Sequence, residues 1–157
     1  MKERTMDAAP LPVSAEQRVA VALARVVSRG LYQAEQLIKP HGLTATQYNV
    51  LRILNGAGPE GLCGTEIGSR LVSPVPDMTR LLDRMAEAGL LVRERDPEHR
   101  RFVRARLTEA GRAKLLETTP VLDAMHREQF RRLSPEQLAT LRSLLDLLAD
   151  PEAGTTG

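Results

Sequence analysis

The chain has 157 residues, 42% of them hydrophobic and 27% charged, enough apolar sequence for one domain with its own core and too mixed for a disordered, fibrous or membrane class. A single cysteine, Cys63, excludes an intramolecular disulfide framework and fits a reducing compartment. The longest apolar run lies between Arg18 and Arg25, far short of the ~20 residues of a bilayer span, so the expected location is the cytoplasm, with no membrane partner.

Residues 1–13, which contain Pro10 and Pro12 and show no periodicity, read as a flexible arm, and 150–157 as a flexible tail. Between them Ser14 with Gln17, Thr44 with Gln47 and Ser134 with Gln137 have the capping-box spacing. In that box the first side chain takes a backbone N–H three residues on and the glutamine reaches back. Three boxes predict a mainly helical fold. The first helix spans about 14–38, where Val19, Leu23, Val26 or Val27, Gly30, Ala34 and Leu37 recur at three- and four-residue spacing. Pro40 and Gly42 end it. The second follows Thr44, with Tyr48, Leu51 and Leu54 on one face, and stops in the glycine-rich turn at 56–61. A short third helix over 64–71 carries Ile67 and Leu71. The fourth, entered through Ser73-Pro74-Val75-Pro76, starts at Ser73 or Val75 with Pro76 in its first turn. It turns Met78, Leu81, Leu82 and Met85 inward and closes at Gly89.

The period then changes. Residues 90–96 and 101–107 alternate in polarity around a turn-prone Asp96-Pro97-Glu98-His99, which predicts a β-hairpin. Thr108 opens a long helix reaching about 132, with a bend expected at Pro120. The last helix, 134–149, sets Leu138, Leu141, Leu145 and Leu148 in a stripe that Leu144 and Leu147 widen. That stripe is too broad for one helix on the outside of so small a domain, so part of it is expected to meet another chain.

Helices two to four and the hairpin form a helix-turn-helix with a wing, an arrangement that places one helix in a DNA major groove and the hairpin beside it. Net charge is only +2, but the estimated pI is 9.0 and nineteen of the twenty-two basic residues are arginine. Four arginines and no acid fall between Arg100 and Arg106, so the distribution says more than the sum. With only four aromatic residues in the chain, single-strand and RNA binders built on stacking platforms are disfavoured. On the fourth helix Asp77, Thr79, Arg80 and Arg84 are the polar positions outside the core face. Arg80 is the base-reading candidate, because a guanidinium pairs bidentately with guanine; the competing assignment for Arg80 and Arg84 is an ion pair with Asp83 or Glu87. Ser73 and Pro76 join them at the helix entrance. Arg100 and Arg101 are the wing candidates for a narrow minor groove, Arg104 and Arg106 are assigned to phosphate or to solvent, and Arg93 and Arg95 to a solvated strand face.

The run Thr79-Arg80-Leu81-Leu82-Asp83-Arg84-Met85-Ala86-Glu87-Ala88-Gly89-Leu90-Leu91-Val92, followed by Asp96-Pro97-Glu98-His99-Arg100-Arg101, Leu107-Thr108-Glu109-Ala110-Gly111-Arg112 and Leu133-Ser134-Pro135-Glu136-Gln137-Leu138, resembles the MarR family of bacterial regulators in order and content. The resemblance covers nearly all of 14–148. It implies a winged helix-turn-helix embedded in a helical homodimer: 14–42 and 109–149 as dimerisation helices and 43–108 as the lobe that binds double-stranded DNA. It further implies a ligand-responsive repressor, with a pocket for a small aromatic or anionic effector near Tyr32, His41, Tyr48 and Arg52. One departure stands out. The family has an aspartate directly before the wing arginine pair where this chain has His99, so the salt bridge that sets the wing is either missing or supplied by Asp96 or Glu98.

Catalysis has little support. His41, His99 and His126 are scattered, and no His/Cys/carboxylate group has metal-ligand spacing. There is no phosphate loop or nucleophile elbow, so no catalytic residue, metal or cofactor is expected. Two other functions compete: a redox-sensing regulator working through Cys63, and a winged-helix protein-interaction module that binds no DNA.

Overall fold

The computed structural model describes residues 12–96 and 101–149. Helix α1, Ala15–Ile38, starts where the Ser14 hydroxyl accepts the Gln17 N–H at 3.1 Å. A 3-10 turn, Lys39–His41, and left-handed Gly42 stop it. Helix α2, Ala45–Ala57, opens on a complete capping box: Thr44 accepts the Gln47 N–H at 3.2 Å, and the Gln47 side chain accepts the Thr44 N–H at 2.9 Å. There follow β1 (Leu62–Cys63), α3 (Gly64–Arg70), α4 (Met78–Glu87), β2 (Leu91–Arg95), β3 (Val103–Leu107), α5 (Glu109–Phe130) and α6 (Pro135–Ala149). The Ser134 box before α6 forms with the same two bonds.

Two features differ from expectation. Helix α4 begins at Met78, because Asp77 takes the cap position and accepts the Arg80 N–H at 2.9 Å. Pro76 therefore lies before the helix, and the two prolines hold Ser73 and Val75 away from helical geometry. Second, the hairpin has a third strand. Residues Leu62 and Cys63 pair antiparallel with Ala105 and Arg104, giving the order β1-β3-β2. Helix α5 runs through Pro120 as the long helix expected there. The missing proline N–H leaves the Leu116 carbonyl without its usual donor, and both residues are on an exposed part of the helix.

The core lies between α2, α3, α4 and the sheet. Val50, Leu51, Leu54, Ile67, Leu82, Met85, Leu91 and Ala105 are at most 2% exposed, and each large side chain among them contributes about 1.5–3 kcal/mol. Ile38 from α1 and Leu115, Thr118 and Leu122 from α5 close it from the other side. Gly89, at φ +72°, carries the chain out of α4 into β2. At the α5 junction Thr108 donates its hydroxyl to the Gly89 carbonyl at 2.7 Å and accepts the Gly111 N–H at 3.0 Å. This draws Gly111 so close that a Cβ there would lie 2.0 Å from the Leu90 carbonyl oxygen.

Gly111→Ala is therefore expected to lose about 1–3 kcal/mol of stability through backbone overlap, even though alanine is the better helix former. Gly56→Ala, in α2 with open space at its Cβ, is expected to gain about 0.5–1 kcal/mol. Denaturant melts of the two variants check the pair; equal effects at both sites would refute the close-approach argument.

The two ends of the chain leave apolar surface uncovered. In α6 no residue is buried, and Leu138, Leu144, Leu145, Leu147 and Leu148 are exposed. On α1, Val19, Leu23, Val26, Val27 and Leu31 are likewise exposed, and only Ile38 of the helix is buried. Single exposed apolar residues are ordinary, but two such stripes are not.

Candidate nucleic-acid interface

Helix α4 is positioned by its inner face. Leu81, Leu82 and Met85 are buried, which fixes Thr79, Arg80, Asp83 and Arg84 outward and exposed. Asp83 does not pair within the helix. It receives the guanidinium of Arg93 from β2, so an arginine assigned to a solvated strand face instead ties the hairpin to α4. Among the described residues no ion pair occupies Arg80 or Arg84. Both line one groove of about 670 Å³ with Pro74, Pro76 and Asp77 and, across it, Thr44 and Thr46 at the start of α2. The groove is also lined by Glu35, whose carboxylate accepts the Ala45 N–H at 2.9 Å and so occupies the α2 N-terminus; what the groove offers an anionic backbone is the two arginines. Ser73 and Pro76 are exposed beside it. Asp77 belongs to the same rim, but its carboxylate is already engaged as the α4 cap.

In the wing, the Asp96 N–H donates to the Phe102 carbonyl at 2.9 Å and closes the base of the hairpin loop. Arg101 is exposed, with its guanidinium 5.3 Å from the centre of the Phe102 ring. Arg100, like His99 and Glu98, lies outside the described residues. Arg104 is placed differently from its phosphate assignment. Its Nε donates to the Asp96 carboxylate at 2.5 Å and one terminal nitrogen donates to the Gly61 carbonyl at 3.2 Å, with Glu66 at 3.9 Å. Of the two acids proposed to set the wing, Asp96 is thus in contact with an arginine. The pairing 83–93 crosses between a helix and a strand and has no period in the sequence, whereas for 96–104 the sequence offered the acid and not its arginine.

The four residues assigned to an effector pocket do not come together. Tyr48 and Arg52 border a cavity of about 410 Å³ between α1, α2 and α5, shared with Asn49, Asp123 and His126. The Tyr48 hydroxyl is 3.2 Å from that of Thr119. Tyr32 is exposed on a separate groove between α1 and α5. His41 instead contacts Glu117 of α5 at 2.7 Å; that bond, together with Lys114, holds the Glu117 carboxyl below the usual carboxylate range. His41 and Tyr48 both reach α5, at Glu117 and Thr119, but His41 does not line the cavity that Tyr48 and Arg52 border.

Cys63 stands at the N-terminal boundary of α3. Its N–H donates to Glu66 at 2.7 Å, and its thiol sulfur is 3.0 Å from the Thr65 hydroxyl. The backbone bond from Cys63 is the main cause lowering the Glu66 carboxyl. The residue is accounted for as a cap. Among the described residues no group of three or more His, Cys, Asp or Glu could hold a metal ion, and no helix is long and apolar enough to cross a membrane.

Known proteins share this arrangement. A family model described as the MarR family matches residues 41–101, the span from the end of α1 to the wing. The chain is 36% identical over 107 residues to YkoM, an HTH-type transcriptional regulator of Bacillus subtilis (strain 168), covering 68% of each chain. It is 35% identical to a MarR transcription factor of Planctomyces limnophilus, with a TM-score of 0.65 over 87% of this chain and 99% of that one. The structure of Bordetella bronchiseptica BpsR, described with the regulation of its DNA binding by 6-hydroxynicotinic acid, matches with a TM-score of 0.79 at 25% identity, over 90% of this chain and all of that one.

Proposed function

The chain belongs to the MarR family of transcriptional regulators, and from that premise we propose that it is a homodimeric, ligand-responsive repressor that binds a pseudo-palindromic site in double-stranded DNA. The observation that carries this reading is the outer face of α4, where Arg80 and Arg84 stand exposed, with no ion pair among the described residues, beside a hairpin bearing Arg101. Arg80 reads a base edge, Thr79 and Arg84 support it, and the wing arginines Arg100 and Arg101 enter the adjacent minor groove. Ser73 and Pro76 pass close to the backbone, and Asp77 acts through the helix cap.

A dimer follows from the two uncovered stripes on α1 and α6. It presents two α4 helices to successive major grooves about 34 Å apart, and bound over a promoter in the cytoplasm it blocks transcription. The cavity that includes Tyr48, Arg52 and His126 lies between the helix pair and the DNA-binding lobe. A small aromatic acid seated there meets Arg52, His126 and Tyr48, with the Asp123 carboxylate also in the wall, and it releases DNA by binding more tightly to the spacing that does not fit the operator. BpsR responds to such a compound.

The test is a mobility shift of the full chain on the intergenic DNA upstream of its own gene and on a scrambled duplex of equal length, with and without 6-hydroxynicotinic acid as an aromatic-acid probe. Equal affinity for both duplexes refutes the sequence-specific reading.

A further inference from the structure

Arg104 carries an inference beyond its assignment to phosphate. It lies on the central strand β3, opposite Cys63 of β1 on one side and Glu94 of β2 on the other. Its guanidinium spans three pieces of the fold: the buried Asp96 where the wing loop leaves β2, the Gly61 carbonyl ahead of β1, and Glu66 on α3. A planar fork with several fixed donors can make these contacts at once, which an ammonium on a flexible stem cannot. Two carboxylates around one guanidinium also leave no net positive charge there to offer a phosphate. Asp96 is held a second time through its N–H to Phe102, so the guanidinium grips the point from which the wing projects.

We infer that Arg104 is a positioning residue of the wing: it clamps the hairpin base to β1 and α3, sets where the wing arginines meet the minor groove, and makes no phosphate contact of its own. The inference rests on the DNA-binding reading above, and the experiment separates the two.

Full-length wild type, Arg104→Gln, Arg104→Lys and Asp96→Asn are titrated by fluorescence anisotropy on the upstream intergenic duplex and its scrambled counterpart at several salt concentrations, below the melting temperature of each variant. The clamp predicts that Arg104→Gln weakens operator binding roughly tenfold, the scale of one lost charge-assisted hydrogen bond, and lowers the operator-to-scrambled ratio. Arg104→Lys, which keeps the charge but not the fork, weakens binding as well. Asp96→Asn weakens it although a negative charge near the DNA has been removed.

An unchanged operator-to-scrambled ratio in Arg104→Gln, wild-type affinity in Arg104→Lys, or tighter binding in Asp96→Asn would each overturn the clamp. If Asp96→Asn does not fold, the Arg104→Lys result decides. If wild type binds neither duplex, the DNA reading fails by itself. The clamp is then judged from hydrogen exchange of the Asp96 amide in the free protein: faster exchange in Arg104→Gln supports it, and unchanged exchange refutes it.

Discussion

Leu145→Glu is expected to convert the protein to a monomer and to lower its operator affinity at least about 100-fold, towards the level of non-specific binding. Leu145 is 37% exposed on α6 and borders, with Leu138, Leu141 and Phe130, an apolar groove of about 550 Å³ between the last two helices. In the isolated chain a glutamate there remains in water, so the fold of the lobe is unaffected. In a dimer packed through α6 the carboxylate is buried without a partner, at a cost of several kcal/mol. A monomer keeps one α4 and one wing, hence one half-site, and loses the second set of contacts that pairing made nearly intramolecular. Sedimentation at micromolar concentration and anisotropy on the operator check both halves. A monomeric wild type, or a variant that stays dimeric, would remove α6 from the interface.

Arg80→Ala is expected to flatten sequence preference. A good bidentate pair with a base edge discriminates by about 1–3 kcal/mol, and in a dimer the residue acts in both half-sites, so the operator-to-scrambled affinity ratio falls by the square of the single-site factor. The helix itself is not at stake: Arg80 is exposed, and what the Asp77 cap uses is its backbone N–H, which alanine retains. Arg84→Ala, one turn further on the same face, is the comparison. Titrations of each variant on both duplexes at one fixed salt concentration measure the ratio. An unchanged ratio in Arg80→Ala would take this residue out of base readout and leave it a phosphate contact, which weakens binding alike on every sequence.

Most of the architecture was legible in the amino-acid order because it is set by local chemistry. Ser14, Thr44 and Ser134 each start a helix at the position their side chains dictate, since an N-cap bond spans only three residues. Leu51, Leu54, Ile67, Leu82 and Met85 were identifiable as core from period alone and are buried. The hairpin followed from the change to alternating polarity.

Contacts between elements were decided by the tertiary structure. Strand β1 is two residues long, too short for a period, and exists only because β3 lies beside it. Arg80, Arg93 and Arg104 are the same residue type in the same charged stretch of the chain, yet among the described residues Arg80 has no ion pair, Arg93 holds Asp83 and Arg104 holds Asp96. Which of these applies depends on what stands opposite in space, and a carboxylate ten residues away has no fixed relation to a guanidinium until the strands pair. His41 and Tyr48 both reach α5, at Glu117 and Thr119, while Tyr32 faces a separate groove, an arrangement that only the packing of α1 and α2 against α5 decides. The sequence by itself determined the helices, the core and the winged lobe, because those follow from interactions within a few residues and from burial of a periodic face. The tertiary structure alone decided which arginines are clamps and which remain open to a ligand, because a charge is neutralised by its neighbours in space.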